Sequence, residues 1–166
     1  MSSVSPELKR MNLHDLAALM AIERQVFHPP SSASVMRDSL LAAHTQVWGL
    51  VHPETQELLG FGILSVILDE AELLTLAIAP RYQGHGYGRL LMEFLIDKAR
   101  LGKAETLYLE VRVSHEVALL LYTKLGFIQV GIRKEYYPRV DSKQREDAVL
   151  LSLRLQRTGR IADSGN

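Results

Sequence analysis

Gln83-Gly84-His85-Gly86-Tyr87-Gly88-Arg89 stands between the apolar run Leu73-Leu74-Thr75-Leu76-Ala77-Ile78-Ala79-Pro80 and Leu90-Leu91-Met92-Glu93-Phe94-Leu95-Ile96-Asp97-Lys98-Ala99. That order predicts a buried strand, a tight glycine loop and an amphipathic helix. Glycines at every second position leave the main chain bare where the helix begins, so its unpaired N–H groups can point outward together. Such a geometry suits phosphate oxygens and points to a pyrophosphate-bearing ligand. A flexible strand-to-helix turn would carry the same glycines. Two nucleotide loops fail on spacing. A P-loop closes with Gly-Lys-Ser/Thr, whereas Gly88 is followed by Arg89-Leu90; a dinucleotide fingerprint needs G-x-G-x-x-G near the first strand, whereas G-x-G-x-G occurs here in mid-chain.

The 166 residues are expected to form one domain, 1–166, able to bury a sizeable core, with small polar tails at 1–6 and 158–166 expected to fray. Nineteen basic residues balance nineteen acidic ones, which argues against a broad nucleic-acid or anionic-membrane surface. Without cysteine there is no disulfide, thiol nucleophile or thiolate metal site, and no metal is implied. The first ten residues lack the apolar core of a secretory signal, and no apolar run approaches the ~20 residues of a membrane span, so a cytoplasmic protein is expected.

Leu13, Leu16, Leu19, Met20, Glu23, Val26 and Phe27 follow a helical stripe with Asn12 as N-cap, and His28-Pro29-Pro30 stops it. A second helix is expected from about Ser31–Ser34, carrying Val35, Met36, Leu40 and Leu41. Gln46–Val51 and Leu58–Val66 read as a hairpin. Glu70–Ala79 reads as a central strand covered on both faces. The helix after the glycines should bury Leu90, Leu91, Phe94, Leu95 and Leu101 and end near Gly102. In Glu105–Arg112, alternation sets Leu107, Leu109 and Val111 on one face and Tyr108, Glu110 and Arg112 on the other. A helix from about His115 to Leu125, N-capped by Ser114 and stopped by Gly126, would align His115, Ala118 and Tyr122. Phe127–Val130 and Asp147–Leu155 would form a last antiparallel pair, with Arg133–Pro138 in the loop between them.

Gln83, Gly86 and Gly88 meet a Q-x-x-G-x-G acetyl-CoA signature, and Leu109-Glu110-Val111-Arg112, Ala118–Tyr122, Leu125-Gly126-Phe127 and Tyr136-Tyr137-Pro138 follow in order. Over roughly Leu13 to Leu155 the chain resembles the GNAT family of N-acetyltransferases, and within it the RimI-like ribosomal-protein alanine acetyltransferases. The resemblance implies an α/β GNAT fold: a mixed, mostly antiparallel sheet, splayed at the acetyl-CoA site, with helices on both faces. It implies acetyl-CoA contacts from the main chain of Leu76, Ala77 and Ile78 and from Gln83, Gly84, His85, Gly86, Tyr87, Gly88 and Arg89. His115 stands where RimI-like proteins have an asparagine that touches the cofactor, so its contact is left open. Phe27, in the elbow to Ser34, and Tyr136 and Tyr137 become candidate acceptor contacts; an elbow or loop that merely packs would look alike.

Acetyl transfer to an amine needs a neutral amine, a donor to the oxyanion and a proton for the leaving thiolate. An α-amine, of pKa about 7.7–8.0 against about 10.4 for lysine, yields its proton to a carboxylate most easily through a water. Glu110, in an otherwise apolar strand, is the candidate base; a strand-end glutamate paired with Arg112 or a neighbouring lysine is the alternative. Tyr122 is the candidate acid, with a core tyrosine whose hydroxyl is satisfied at the edge as the alternative, and the backbone N–H of Ile78 is the candidate oxyanion donor. The implied reaction is direct acetyl transfer from acetyl-CoA to a protein N-terminus, by resemblance alanine of a small-subunit ribosomal protein. Acetylation of lysine or a small amine, and acyl-CoA binding without turnover, remain alternatives.

Overall fold

The computed structural model describes residues 5–138 and 145–155, so the 158–166 tail and all but the end of the 1–6 tail lie outside the described residues. Seven strands form one sheet: β1 (Glu7–Arg10), β2 (Thr45–Val51), β3 (Leu58–Ile67), β4 (Glu70–Ile78), β5 (Thr106–Arg112), β6 (Ile128–Pro138) and β7 (Arg145–Arg154). Their order is β1-β2-β3-β4-β5-β7-β6, antiparallel throughout except where β4 and β5 run parallel. The four α-helices are α1 (Leu16–Val26), α2 (Ala33–Leu41), α3 (Tyr87–Leu101) and α4 (Glu116–Lys124), with α3 making the crossover that a parallel pair requires. They cover both faces. On one, Leu91, Leu95 and Ala99 of α3 and Tyr122 of α4 pack on Leu73, Leu107 and Leu109; on the other, Leu19 and Met20 of α1 and Met36 of α2 pack on Phe61, Ile63 and Ala77.

The entry to α1 forms as its residues dictate. Asn12 accepts from the His14 N–H, Asp15 accepts from the Asn12 N–H, and a 3₁₀ turn, Leu13–Asp15, leads into the helix. Glu23 is buried, and its carboxylate accepts the Ser31 N–H at 2.9 Å, which holds the elbow between α1 and α2. Ser32 caps α2 by accepting from the Val35 N–H.

Two irregularities place the site. Pairing between β3 and β4 shifts between Ile63 and Leu64, leaving Leu74 as an extra residue between Leu73 and Thr75. The bulge reverses the alternation of β4: Ala71 and Leu73 face the α3/α4 core before it, and Leu76 and Ile78 do so after it. Pairing between β4 and β5 ends at the adjacent rung, Leu73↔Leu109. Beyond it β4 keeps β3 on one edge and has no described strand on the other, so the sheet is open there as the resemblance implies.

Several sequence expectations need correction. Glu7–Arg10, too short and polar to show an alternation, is a strand that the edge of β2 recruits. The first half of β4 is exposed at Glu70, Glu72 and Leu74 rather than covered on both faces. On α3 the buried stripe is Leu91, Met92, Leu95, Ile96 and Ala99; Leu90 and Leu101 flank it and are exposed. Ser114 does not cap α4. Its hydroxyl donates to Glu146 at 2.6 Å, and His115 caps instead, Nδ1 accepting the Ala118 N–H at 3.3 Å. Finally, Arg133–Pro138 belongs to β6 and not to a loop, although the strand is interrupted between Arg133 and Tyr137.

Candidate functional site

The glycine loop is built as its spacing requires. Gly84 and Gly86 have φ of +81° and +83°, a region that costs other L-residues strain, and a Cβ at either would meet nothing within 4 Å. Gly86 caps α3 without a side-chain bond, and the first helical bond runs from the Leu90 N–H to the Gly86 carbonyl at 3.1 Å. The N–H groups of Tyr87, Gly88 and Arg89 therefore precede the helical ladder and face outward at its positive end. The loop is pinned from behind, because the Gln83 side-chain amide donates to the Ile78 carbonyl at 3.0 Å. Arg89 pairs with Glu93 at 2.9 Å, and the His85 and Tyr87 rings lie 5.9 Å apart.

On β4 the main chain divides by alternation. The Ala79 N–H donates to Leu59 of β3, so Ala77 also turns to β3 while the N–H and C=O groups of Leu76 and Ile78 turn to the opening. Of the three residues expected to offer main chain to the cofactor, Leu76 and Ile78 are so placed; Ala77 is directed inward, its side chain 2% exposed. A Cβ on Gly88 would lie 3.8 Å from Leu121 of α4 and 4.0 Å from Ile78. The glycine loop, the free end of β4 and α4 thus converge at one point.

On the opposite face, Glu72, Leu73, Leu74, Glu110, Arg133, Tyr136 and Tyr137 line a groove of about 340 Å³. Glu110 does not stand alone among apolar neighbours: its Oε1 lies 3.0 Å from Arg133 Nη2. The Arg133 guanidinium lies over the Tyr136 ring at 4.6 Å, and Arg112 over the Tyr137 ring at 4.4 Å. The interruption of β6 is locked in place. Glu135 has φ +52°, its N–H donates to Asp147 at 2.9 Å, and Arg145 donates to the Glu135 and Tyr136 carbonyls at 3.0 and 2.9 Å.

Tyr122, 6% exposed, packs edge-on to Phe127 in the α3/α4 core. Burial, and secondarily the Tyr137 phenol, raises its pKa well above that of a free phenol. The Tyr137 phenol is itself pushed up, by burial first and then by the Glu110 charge. Tyr137 therefore links the two sides: it feels the charge of Glu110, on the groove side, and acts in turn on Tyr122, on the core side. Phe27 ends α1, packs into the α1/α2 core and does not line the groove. His115, spent as a helix cap, is exposed.

Two groove residues were not singled out from sequence. Glu72 is one; it also borders a second cavity of about 410 Å³ with Glu110, Ser65, Tyr108 and Val130. Arg133 is the other. The polar alternation Glu70, Glu72 carried the signal for the first, but reading β4 as covered on both faces hid it. No local pattern marks Arg133, because a register shift between Gln129 and Gly131 decides which face of the sheet it takes.

The model of the acetyltransferase (GNAT) family matches residues 13–127. The chain belongs to the GNAT family. It is 47% identical over 93 residues to the ribosomal protein bS18-alanine N-acetyltransferase of Escherichia coli K12, a match covering 56% of this chain and 62% of that protein, short of two thirds of its length. To the Haemophilus influenzae protein of that name it is 39% identical over 138 residues, 83% of this chain and 91% of that one. The crystal structure of the Escherichia coli ribosomal-protein-S18-alanine N-acetyltransferase superposes with a TM-score of 0.85 at 34% identity, over 94% of this chain and 97% of that one. Arabidopsis thaliana NAA60 in complex with acetyl-CoA, at 18% identity and a TM-score of 0.79 over 91% and 99%, shares the fold.

Proposed function

We propose that this protein transfers an acetyl group from acetyl-CoA to the N-terminal α-amine of a protein, the acceptor being the N-terminal alanine of a small-subunit ribosomal protein. The observation that carries the reading is the opening beyond Leu73↔Leu109, with the glycine loop meeting Ile78 at one mouth and Glu110 at the other. Acetyl-CoA supplies the acyl group as an activated thioester. The chain fits it: uncapped N–H groups of Tyr87, Gly88 and Arg89, with open space at Gly84 and Gly86, suit a diphosphate, and the strand edge at Leu76 and Ile78 suits an amide-bearing arm. The relatives named as bS18-alanine N-acetyltransferases support the acceptor, and a ribosomal acceptor implies the cytoplasm. Among the described residues no helix is long and apolar enough to cross a membrane.

In this reading Glu110 takes a proton from the acceptor ammonium through a water, and the amine nitrogen then bonds to the acetyl carbon. The Ile78 N–H donates to the oxygen on which charge gathers. As the carbon–sulfur bond breaks, Tyr122 gives its phenolic proton to the departing sulfur, and the second proton lost from the acylated nitrogen, passed through water, restores the phenol. Burial keeps the phenol protonated at neutral pH, so the proton is present when the sulfur departs. Arg133 orients Glu110, and Tyr136 and Tyr137 flank the entering peptide. Transfer is direct, because the chain has no cysteine to hold an acyl group in between. Thiol release from acetyl-CoA in the presence of an alanine-first peptide tests the proposal; no release on any amine would support cofactor binding without turnover.

A further inference from the structure

Glu72 lies on the last paired stretch of β4 before the strands part, opposite Tyr108 and one residue short of the final rung. Its side chain faces the same side of the sheet as Glu110, since Leu73 and Leu109 between them point into the core. Both carboxylates line the groove and the adjoining cavity. Their partners differ. Arg133 is committed to Glu110 at 3.0 Å, Arg112 reaches Glu146 at 3.9 Å and the Pro138 carbonyl at 2.8 Å, and Arg145 is taken by the Glu135 and Tyr136 carbonyls. Glu72 forms no ion pair with any described residue. With Arg133 paired to Glu110, Glu72 is left without an ion pair among the described residues, which makes it the complement of one ammonium.

We infer that Glu72 docks the incoming acceptor amine as its ammonium ion, leaving Glu110, held in place by Arg133, to remove the proton. The inference rests on the acetyl-transfer reading and divides two roles that a single carboxylate would otherwise share. Its cost is visible in the structure: burial first, and then the charge of Glu110, raise the Glu72 pKa against the lowering effect of Arg133. A half-covered charge beside a like charge is a poor stabiliser of the fold, but it suits a cationic ligand. No bond forms or breaks at Glu72; it binds, and the proton leaves through Glu110.

Steady-state kinetics of Glu72→Gln with an alanine-first peptide, together with calorimetric titration of the peptide into CoA-saturated protein, tests it. The expected result is an acceptor KM and a peptide Kd about tenfold higher, the scale of one charge-assisted hydrogen bond, with kcat within about twofold and the acetyl-CoA KM unchanged. Glu72→Asp should recover part of the affinity and added salt should weaken peptide binding to wild type more than to Glu72→Gln. An unchanged KM and Kd in an active wild-type background, or a loss confined to kcat, would overturn the docking role alone. A wild type inactive on every amine would overturn the acetyl-transfer reading, and this inference with it.

Discussion

Arg133 Nη2 lies 3.0 Å from Glu110 Oε1, so the carboxylate at the mouth of the strand opening is gripped by a cation from β6, two strands away. The contact exists because the pairing of β6 with β7 shifts between Gln129 and Gly131, which sets Gly131 level with Glu110 across Leu150 and turns Arg133, two residues on, to the same face. Without that extra residue Arg133 would fall on the opposite face of the sheet. The geometry of the candidate base is therefore set from the far edge of the sheet.

Glu110→Gln should keep the shape of the groove and lose the proton acceptor. General-base catalysis is worth about 100-fold or more, so kcat at neutral pH should fall by about that factor while the affinity for acetyl-CoA, bound from the other mouth, stays the same. Activity equal to wild type across pH 6 to 9 would take Glu110 out of the mechanism.

Tyr122→Phe removes one hydroxyl from the α3/α4 core. The structure predicts a drop in kcat of about 100-fold that is uniform below pH 10, since burial holds the phenol protonated throughout that range. Stability carries a separate signature. With the folded pKa above the unfolded value of 10.0, the native chain retains a proton that the unfolded chain has lost, so wild-type stability falls as pH rises beyond about 10. Denaturant melts of Tyr122→Phe should show a shallower decline there; parallel declines would mean that Tyr122 is not buried as described.

Glu72→Gln should melt higher than wild type at pH 7. The raised pKa of Glu72 means that its contribution to stability is full below the unfolded value of 4.5 and is lost as pH climbs through the folded value. The Tm difference should therefore shrink towards zero at about pH 3.5, a unit below that value. A variant less stable than wild type at pH 7 would show that Glu72 is a structural partner. Extra stability combined with weaker acceptor binding is the pattern of a residue kept for function.

Gly86→Ala meets no steric obstacle, so any effect comes from φ +83° alone. A left-handed alanine costs about 1–2 kcal/mol, expected as a Tm lowered by about 2–8 °C together with a raised KM for acetyl-CoA. Differential scanning fluorimetry with and without acetyl-CoA reads both; an unaltered Tm would mean that the loop relaxes out of this conformation.

Much of this arrangement was legible in the residues. The glycine spacing gave the loop and the start of α3, Asn12 gave the entry to α1, and Gly126, at φ +99°, closes α4 as its position suggests. The alternation of β5 placed Glu110 opposite Leu109 and Val111 correctly. What escaped depends on partners distant in the chain. A bulge at Leu74 reverses the phase of β4, so one continuous apolar run hid two different exposures and concealed Glu72. Pairing with β7 carries β6 on to Pro138, where a loop was expected. Ser114 and His115 compete for one cap, and a glutamate 32 residues away, Glu146, decides it by taking the serine.

The central claim is that the opening between β4 and β5 delivers an acetyl group to an α-amine. Mapping the acetylated position by mass spectrometry tests it most directly, using two versions of an alanine-first, lysine-containing peptide, one with a free and one with a blocked N-terminus. The account predicts a single acetyl group on the alanine nitrogen of the free peptide and none on the blocked one. Acetyl-lysine in the blocked peptide, formed as fast or faster, would contradict it.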